Sequence, residues 1–170
     1  NGYVSPKHNY IDLAIDAHRT RAEFMESFCG SFMDNVNADI NGNVNVVGPL
    51  NNINLVGKAV VDGSVRLSAL NTTYWMRGDS VTFVPDEIKF KGDTIYDRNG
   101  NIGIMTGSIY HKHLTNLSYA LKVKAKNLLA YDTHSFGDNT FYGTAYVTGD
   151  CDIKGKSGEV VIDIDAVPEK

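Results

Sequence analysis

The sequence predicts an all-β domain: a long-stranded, mostly antiparallel sheet curled into a trough, a β-taco or half-pipe with an apolar interior and one short helix. Three observations carry this expectation. Apolar and polar residues alternate over runs far longer than a usual strand. Glycines recur inside those runs, on the apolar side. Turn residues separate the runs at hairpin intervals, and a single stretch changes to helical spacing. A period of two sends successive side chains to opposite faces of a strand, so each run has one greasy and one hydrated face.

The run Ile53–Leu67 is the clearest. Ile53, Leu55, Gly57, Ala59, Val61, Gly63, Val65 and Leu67 share one face, and Asn54, Lys58, Asp62, Ser64 and Arg66 the other, with Val56 and Val60 as exceptions. At about 3.3 Å per residue it would reach roughly 50 Å, against about 5–6 residues for a typical strand. Upstream, residues 1–9 read as a loose polar arm, and Tyr10–His18 alternates as a strand. The period changes in Arg19–Met33, where Ala22, Met25, Cys29 and Phe32 fall at helical spacing and Thr20 with Glu23 forms a capping box. A short amphipathic helix is expected over about Arg21–Phe28, ending near Gly30. Its Phe- and Met-rich stripe suits a plug at one end of a β core, or a contact with membrane or lipid. Asp34–Gly48 returns to period two, and Gly48–Asn52 turns it into the Ile53 strand.

Downstream, Ser68–Asp79 is less regular and holds the lone Trp75. Ser80–Phe83 and Glu87–Phe90 read as short strands broken at Pro85, which cannot sit inside a ladder. Asp97–Asn101 contains Asn-Gly, the strongest hairpin dipeptide. Gly103–His113, Leu117–Asn127, Phe141–Ile153 and Val160–Ala166 follow as strands, with Asp132–Asn139 as a polar loop. The sum is roughly eight to nine strands in hairpin order. Residues 1–33 form an N-terminal strand and helix, part of the same domain as the β-taco of residues 34–167. The inward set expected to line the trough is Ala38, Ile40, Val44, Val46, Leu55, Ala59, Val61, Val65, Met105, Ile109, Leu121, Val123, Ala145, Val147, Ile153, Val160, Ile162 and Ile164.

Composition narrows the function. The net charge of -4 argues against a nucleic-acid partner, which needs a basic surface. No apolar run is long enough to span a membrane as a helix. The chain begins at Asn1 without a leader, which suggests a fragment or mature segment of something longer. Cys29 and Cys151 make neither a disulfide framework nor a metal site; free packed thiols are expected, a bridge being the alternative. His111 and His113 share a strand face without a third ligand. The pairs Asp150/Asp152 and Asp163/Asp165 read as an outer face offset by Lys122, Lys124 and Lys126, calcium being the alternative. Asp97–Asn101 lacks the alternating carboxylates of a calcium loop. No nucleophile triad, phosphate loop or Cys-x-x-Cys occurs, so neither enzyme, cofactor nor metal is expected.

Several stretches resemble a known family. Leu70-Asn71-Thr72-Thr73-Tyr74, then Asp97-x-x-Gly100-Asn101 with Gly107-x-Ile109-x-His111, then Gly143-Thr144-Ala145-Tyr146-Val147-Thr148-Gly149-Asp150 are similar to the C-terminal region of TamB-like proteins, the translocation and assembly module members of the AsmA-like group. Ile40-x-Gly42-x-Val44-x-Val46-x-Gly48 and the Gly57/Gly63 strand are similar too, so the resemblance covers most of residues 34–167. It implies a protein anchored in the inner membrane of a two-membrane bacterium, with a β half-pipe crossing the periplasm to the outer membrane. The apolar interior would hold phospholipid acyl chains as one section of a lipid conduit, with membrane contact through parts outside this chain. It also implies a role in assembling outer-membrane β-barrel proteins, in which open sheet edges would pair with a barrel partner. A third reading from the residues, a closed carbohydrate-binding sandwich, is disfavoured by the single tryptophan.

Overall fold

The computed structural model describes residues 2–26, 33–68, 70–112, 115–133, 143–156 and 159–168. They form one ten-stranded sheet in sequence order, each strand antiparallel to the next. The strands are β1 (Gly2–Ser5), β2 (Tyr10–Arg21), β3 (Met33–Pro49), β4 (Asn54–Leu67), β5 (Thr72–Val84), β6 (Glu87–Tyr96), β7 (Ile102–Lys112), β8 (Thr115–Thr133), β9 (Gly143–Lys156) and β10 (Glu159–Pro168). β1 and β10 share no ladder, so the sheet is open. The curled all-β architecture follows from the alternation, because each strand has one face that must leave water.

The expected arm is partly a strand. Gly2–Ser5 pairs with Tyr10–Leu13, across a 3-10 turn at Pro6–His8. Ser5 Oγ accepts from the His8 amide, and Asn9 closes the turn in the left-handed region. The Tyr3 and Tyr10 rings stack at 6.5 Å between centroids. The helix expected from Arg21 does not start there, since Arg21 belongs to β2. Ala22–Met25 is a 3-10 turn, and residues 27–32, with Cys29, lie outside the described residues. Glu23 pairs with Arg21 at 2.5 Å, and Glu26 Oε1 accepts from the Val36 amide at 2.6 Å, which ties this turn to β3.

The irregular stretch after Ser68 resolves into a continuous β5. Pro85 ends it as expected, but the chain turns back within two residues, with Val84 opposite Glu87 and Asp86 at φ 58. A proline followed by a positive φ is a type II turn. The parity of β5 is hidden because its ladder to β4 shifts between Val61 and Asp62, beside Gly78. β6 slips likewise between Lys91 and Asp93, and β8 between Ala125 and Leu128, where Asn127 has φ 49. A bulge inserts one residue and flips the later side chains to the other face. The expected polar loop starts too early: Asp132 and Thr133 are buried members of β8. Residues 134–142, with Phe141, lie outside the described residues.

The mid-strand glycines serve close approach of neighbouring strands. A Cβ on Gly57 would lie 2.2 Å from the Asn43 carbonyl oxygen, and one on Gly42 would lie 2.4 Å from that of Lys58. No side chain fits there, so β3 and β4 pack backbone to backbone at these points. On the outer face the expected ladder is present: Lys122 pairs with Asp152 at 3.4 Å and Lys124 lies opposite Asp150.

Two apolar clusters lie on the inner face. One gathers Ala59, Val81, Ile88, Ile109 and Tyr119. The other gathers Tyr74, Ile95, Val123, Ala125 and Leu128 toward the opposite strand ends. Among the described residues no helix is long and apolar enough to cross a membrane, which says nothing of strands.

Candidate functional site: an apolar hollow

The inner face is not filled. A hollow with a cavity of about 150 Å³ opens along the second cluster. Its walls come from β3 to β10 and carry no charged side chain; Tyr74 and Cys151 are the most polar residues on it. Ligand sites typically occupy roughly 300–1,000 Å³, so the enclosed part of the hollow, about 150 Å³, is smaller than a whole-ligand pocket and suits a segment of a chain whose remainder lies in the open mouth.

The sequence-predicted lining divides into three groups. Val65, Met105, Ile109, Leu121, Val123, Val147, Ile153, Ile162 and Ile164 line the hollow. Ala59 belongs to the first cluster, and Ile40, Val44 and Val61 pack against it. Ala38, Val46, Leu55, Ala145 and Val160 reach neither. Ala38 stands opposite Gly63, Val46 and Leu55 face each other near the β3–β4 turn, and Ala145 and Val160 begin β9 and β10. The hollow also takes residues that the alternation did not mark, above all Tyr74, Met76, Ile95 and Leu128. Ile95 and Leu128 follow the bulges of β6 and β8, and Tyr74 and Met76 precede the one in β5. The signal that could have found them is the Gly or Asn at each slip.

One end of the hollow is closed by hydrogen bonds that skip β6 and β7. Tyr74 Oη donates to the Leu129 carbonyl at 2.7 Å, and the Asp132 amide donates to the Leu70 carbonyl at 3.2 Å. Asn71 Nδ2 donates to the Asp132 carbonyl. β5 to β8 are therefore rolled until the first and fourth strands meet. The β6–β7 turn seals the same end. Its Asp97 carboxylate is buried and accepts from the amides of Asn99, Asn101 and Leu129 at 2.8–2.9 Å, and from Asn101 Nδ2 at 2.9 Å. Arg98 Nη1 reaches Asp132 Oδ2 at 2.6 Å, and Thr144 donates to the other oxygen of Asp132 at 2.7 Å. Asp97 thus spends its oxygens on three backbone amides and the Asn101 side chain. Among the described residues no three His, Cys, Asp or Glu side chains are placed to hold a metal. His111 is buried with Nδ1 3.7 Å from Asp86, and His113 lies outside the described residues.

Burial pushes the Tyr74 phenol up to about 12 from its ordinary 10. The folded state holds this proton more tightly than the unfolded chain does. Its contribution is therefore whole below about pH 10 and is lost as pH rises toward about 12. Tyr74→Phe is expected to cost about 1–2 kcal/mol at neutral pH, because the Leu129 carbonyl loses its donor. It should also flatten the fall in stability above pH 10. Urea unfolding at pH 8 and pH 11 measures both; an unchanged difference between the two pH values would refute the assignment.

Cys151 is a free, half-buried thiol on the wall of the hollow. Burial raises its pKa, with the Asp152 and Asp163 charges adding to the effect. Comparison with protein-family models, curated proteins and solved structures finds no match to this chain.

Proposed function

We propose that the chain is one section of a periplasm-spanning lipid conduit, binding phospholipid acyl chains in the hollow during transport to the outer membrane. The observation that carries this is the hollow itself: an open apolar trough, with a cavity of about 150 Å³, lined without a charged group. Each methylene moved from water into such a site gains about 0.8 kcal/mol, so an acyl chain is its natural occupant. Headgroups stay in water at the open side. The likeness of several motifs to TamB-like proteins supports the same class and, with it, a site of action in the envelope of a two-membrane bacterium.

The test uses Cys151 as reporter. In a Cys29→Ser background at mildly alkaline pH, a maleimide should label Cys151 several-fold more slowly when palmitate or a phospholipid is bound. Lipid should also co-purify and be seen by native mass spectrometry. Unchanged labelling at saturating palmitate would overturn the reading.

A second reading, docking of an outer-membrane β-barrel partner through the sheet edges, is favoured by one observation. Both edge strands expose apolar side chains beside unpaired backbone: Tyr3 and Val4 on β1, Val161 and Val167 on β10. β10 also carries Glu159, Asp163, Asp165 and Pro168, the charge and proline that commonly guard an edge, so β1, which has neither, is the more open of the two.

A further inference from the structure

The convex side carries a pattern at odds with the chain's net charge of -4. On β8, Lys122, Lys124 and Lys126 alternate outward, since Leu121, Val123 and Ala125 face the hollow. Lys91 on β6 and Lys154 on β9 project from the same side, and no carboxylate stands opposite either of them or Lys126 in the ladders. The strand between β6 and β8 is apolar here. Ile102 and Ile104 of β7 lie directly beside Lys126 and Lys124 and are 36% and 37% exposed; Tyr110 is 43% exposed. Asp150 and Asp152 oppose Lys124 and Lys122 on the β9 side only. Exposed pairs of this kind are weak and exchange readily for another anion.

We propose that this convex β6–β9 strip docks on an anionic lipid bilayer surface. The lysines meet lipid phosphates, and Ile102 and Ile104 enter the headgroup layer. Interleaving of basic and apolar side chains is the composition that interfacial binding selects. Lysine suits a diffuse anionic surface, and its long stem keeps the charge in water while the neighbouring apolar residues bury. Tyr96 of β6 lies beside Ile102 on the same face, its ring already covered by the Arg77 guanidinium at 4.5 Å, and a nucleic acid would gain nothing from the isoleucines. The surface faces away from the hollow, so the proposal is independent of what the hollow holds.

Flotation with vesicles tests it. The wild-type chain should float with mixed phosphatidylglycerol–phosphatidylcholine vesicles at low salt, less so as salt rises, and not with phosphatidylcholine alone. The variant K122Q/K124Q/K126Q should bind on the order of 100-fold more weakly. I102S/I104S should also weaken binding but keep its salt dependence. D150N/D152N should tighten binding, which tests the strip even where the lysine variant fails to fold. Val147→Asp, on the opposite face, should float like wild type, so failure of the hollow reading and failure of this one are told apart. Equal flotation with phosphatidylcholine vesicles would overturn the proposal. So would wild-type binding by the folded lysine variant, unchanged binding by D150N/D152N, or tighter binding to a single-stranded oligonucleotide than to vesicles.

Discussion

Asp97→Ala is expected to destabilise the fold by about 3–5 kcal/mol, a drop on the order of 10 °C in Tm. The carboxylate is buried and serves three backbone amides together with the Asn101 side chain. Water can replace it at Asn99, which is exposed. It cannot do so at Leu129, which is among the most buried residues of the chain. An orphaned buried amide costs about 1–3 kcal/mol, and here two elements lose their tie at once: the β6–β7 turn and the end of β8. Asp97→Asn should cost less, since one carbonyl oxygen remains as acceptor. Thermal and urea melts decide the matter; a Tm within about 2 °C of wild type for the alanine variant would sink the role assigned to Asp97.

A charge at Val147 is expected to abolish acyl-chain binding. Val147 lines the hollow from β9 and packs against the second cluster while remaining partly accessible, so Val147→Asp can fold with its carboxylate in the mouth. Burying that group beside a lipid tail, without a partner, costs several kcal/mol, and each 1.4 kcal/mol is tenfold in affinity. Loss of at least about 100-fold is expected, read by crosslinking of photoactivatable palmitate. Ile164→Asp, at the rim and 48% exposed, should give a smaller loss with less effect on folding. Val160→Asp should change nothing, because Val160 stands at the start of β10 away from the hollow. Full crosslinking in a folded Val147→Asp chain would refute the acyl-chain reading.

Much of this arrangement is legible in the residues. Period-two alternation over Leu121–Ala125, Val147–Ile153 and Ile162–Ile164 places the inward side chains of β8, β9 and β10 correctly, because those segments run without a slip. Pro85 and Asn99-Gly100 mark their hairpins for local reasons that any context would respect. Tyr74, Ile95 and Leu128 escape the pattern because bulges shift parity, and a bulge depends on the partner strand as well as on its own. Val61 shares the inward parity but packs beside the first cluster instead of opening on the hollow.

The sequence by itself determined an all-β chain, its hairpin order and which face of each regular strand is apolar, since alternation and turn chemistry act over a few residues. Tertiary structure alone decided how far the sheet rolls and where it stops. The bonds Tyr74–Leu129 and Leu70–Asp132 join residues some sixty apart and close β5 onto β8. The hollow exists because that roll stops short of closing the whole sheet, and a balance among long-range hydrogen bonds, bulges and backbone contacts at Gly42 and Gly57 leaves no periodic trace.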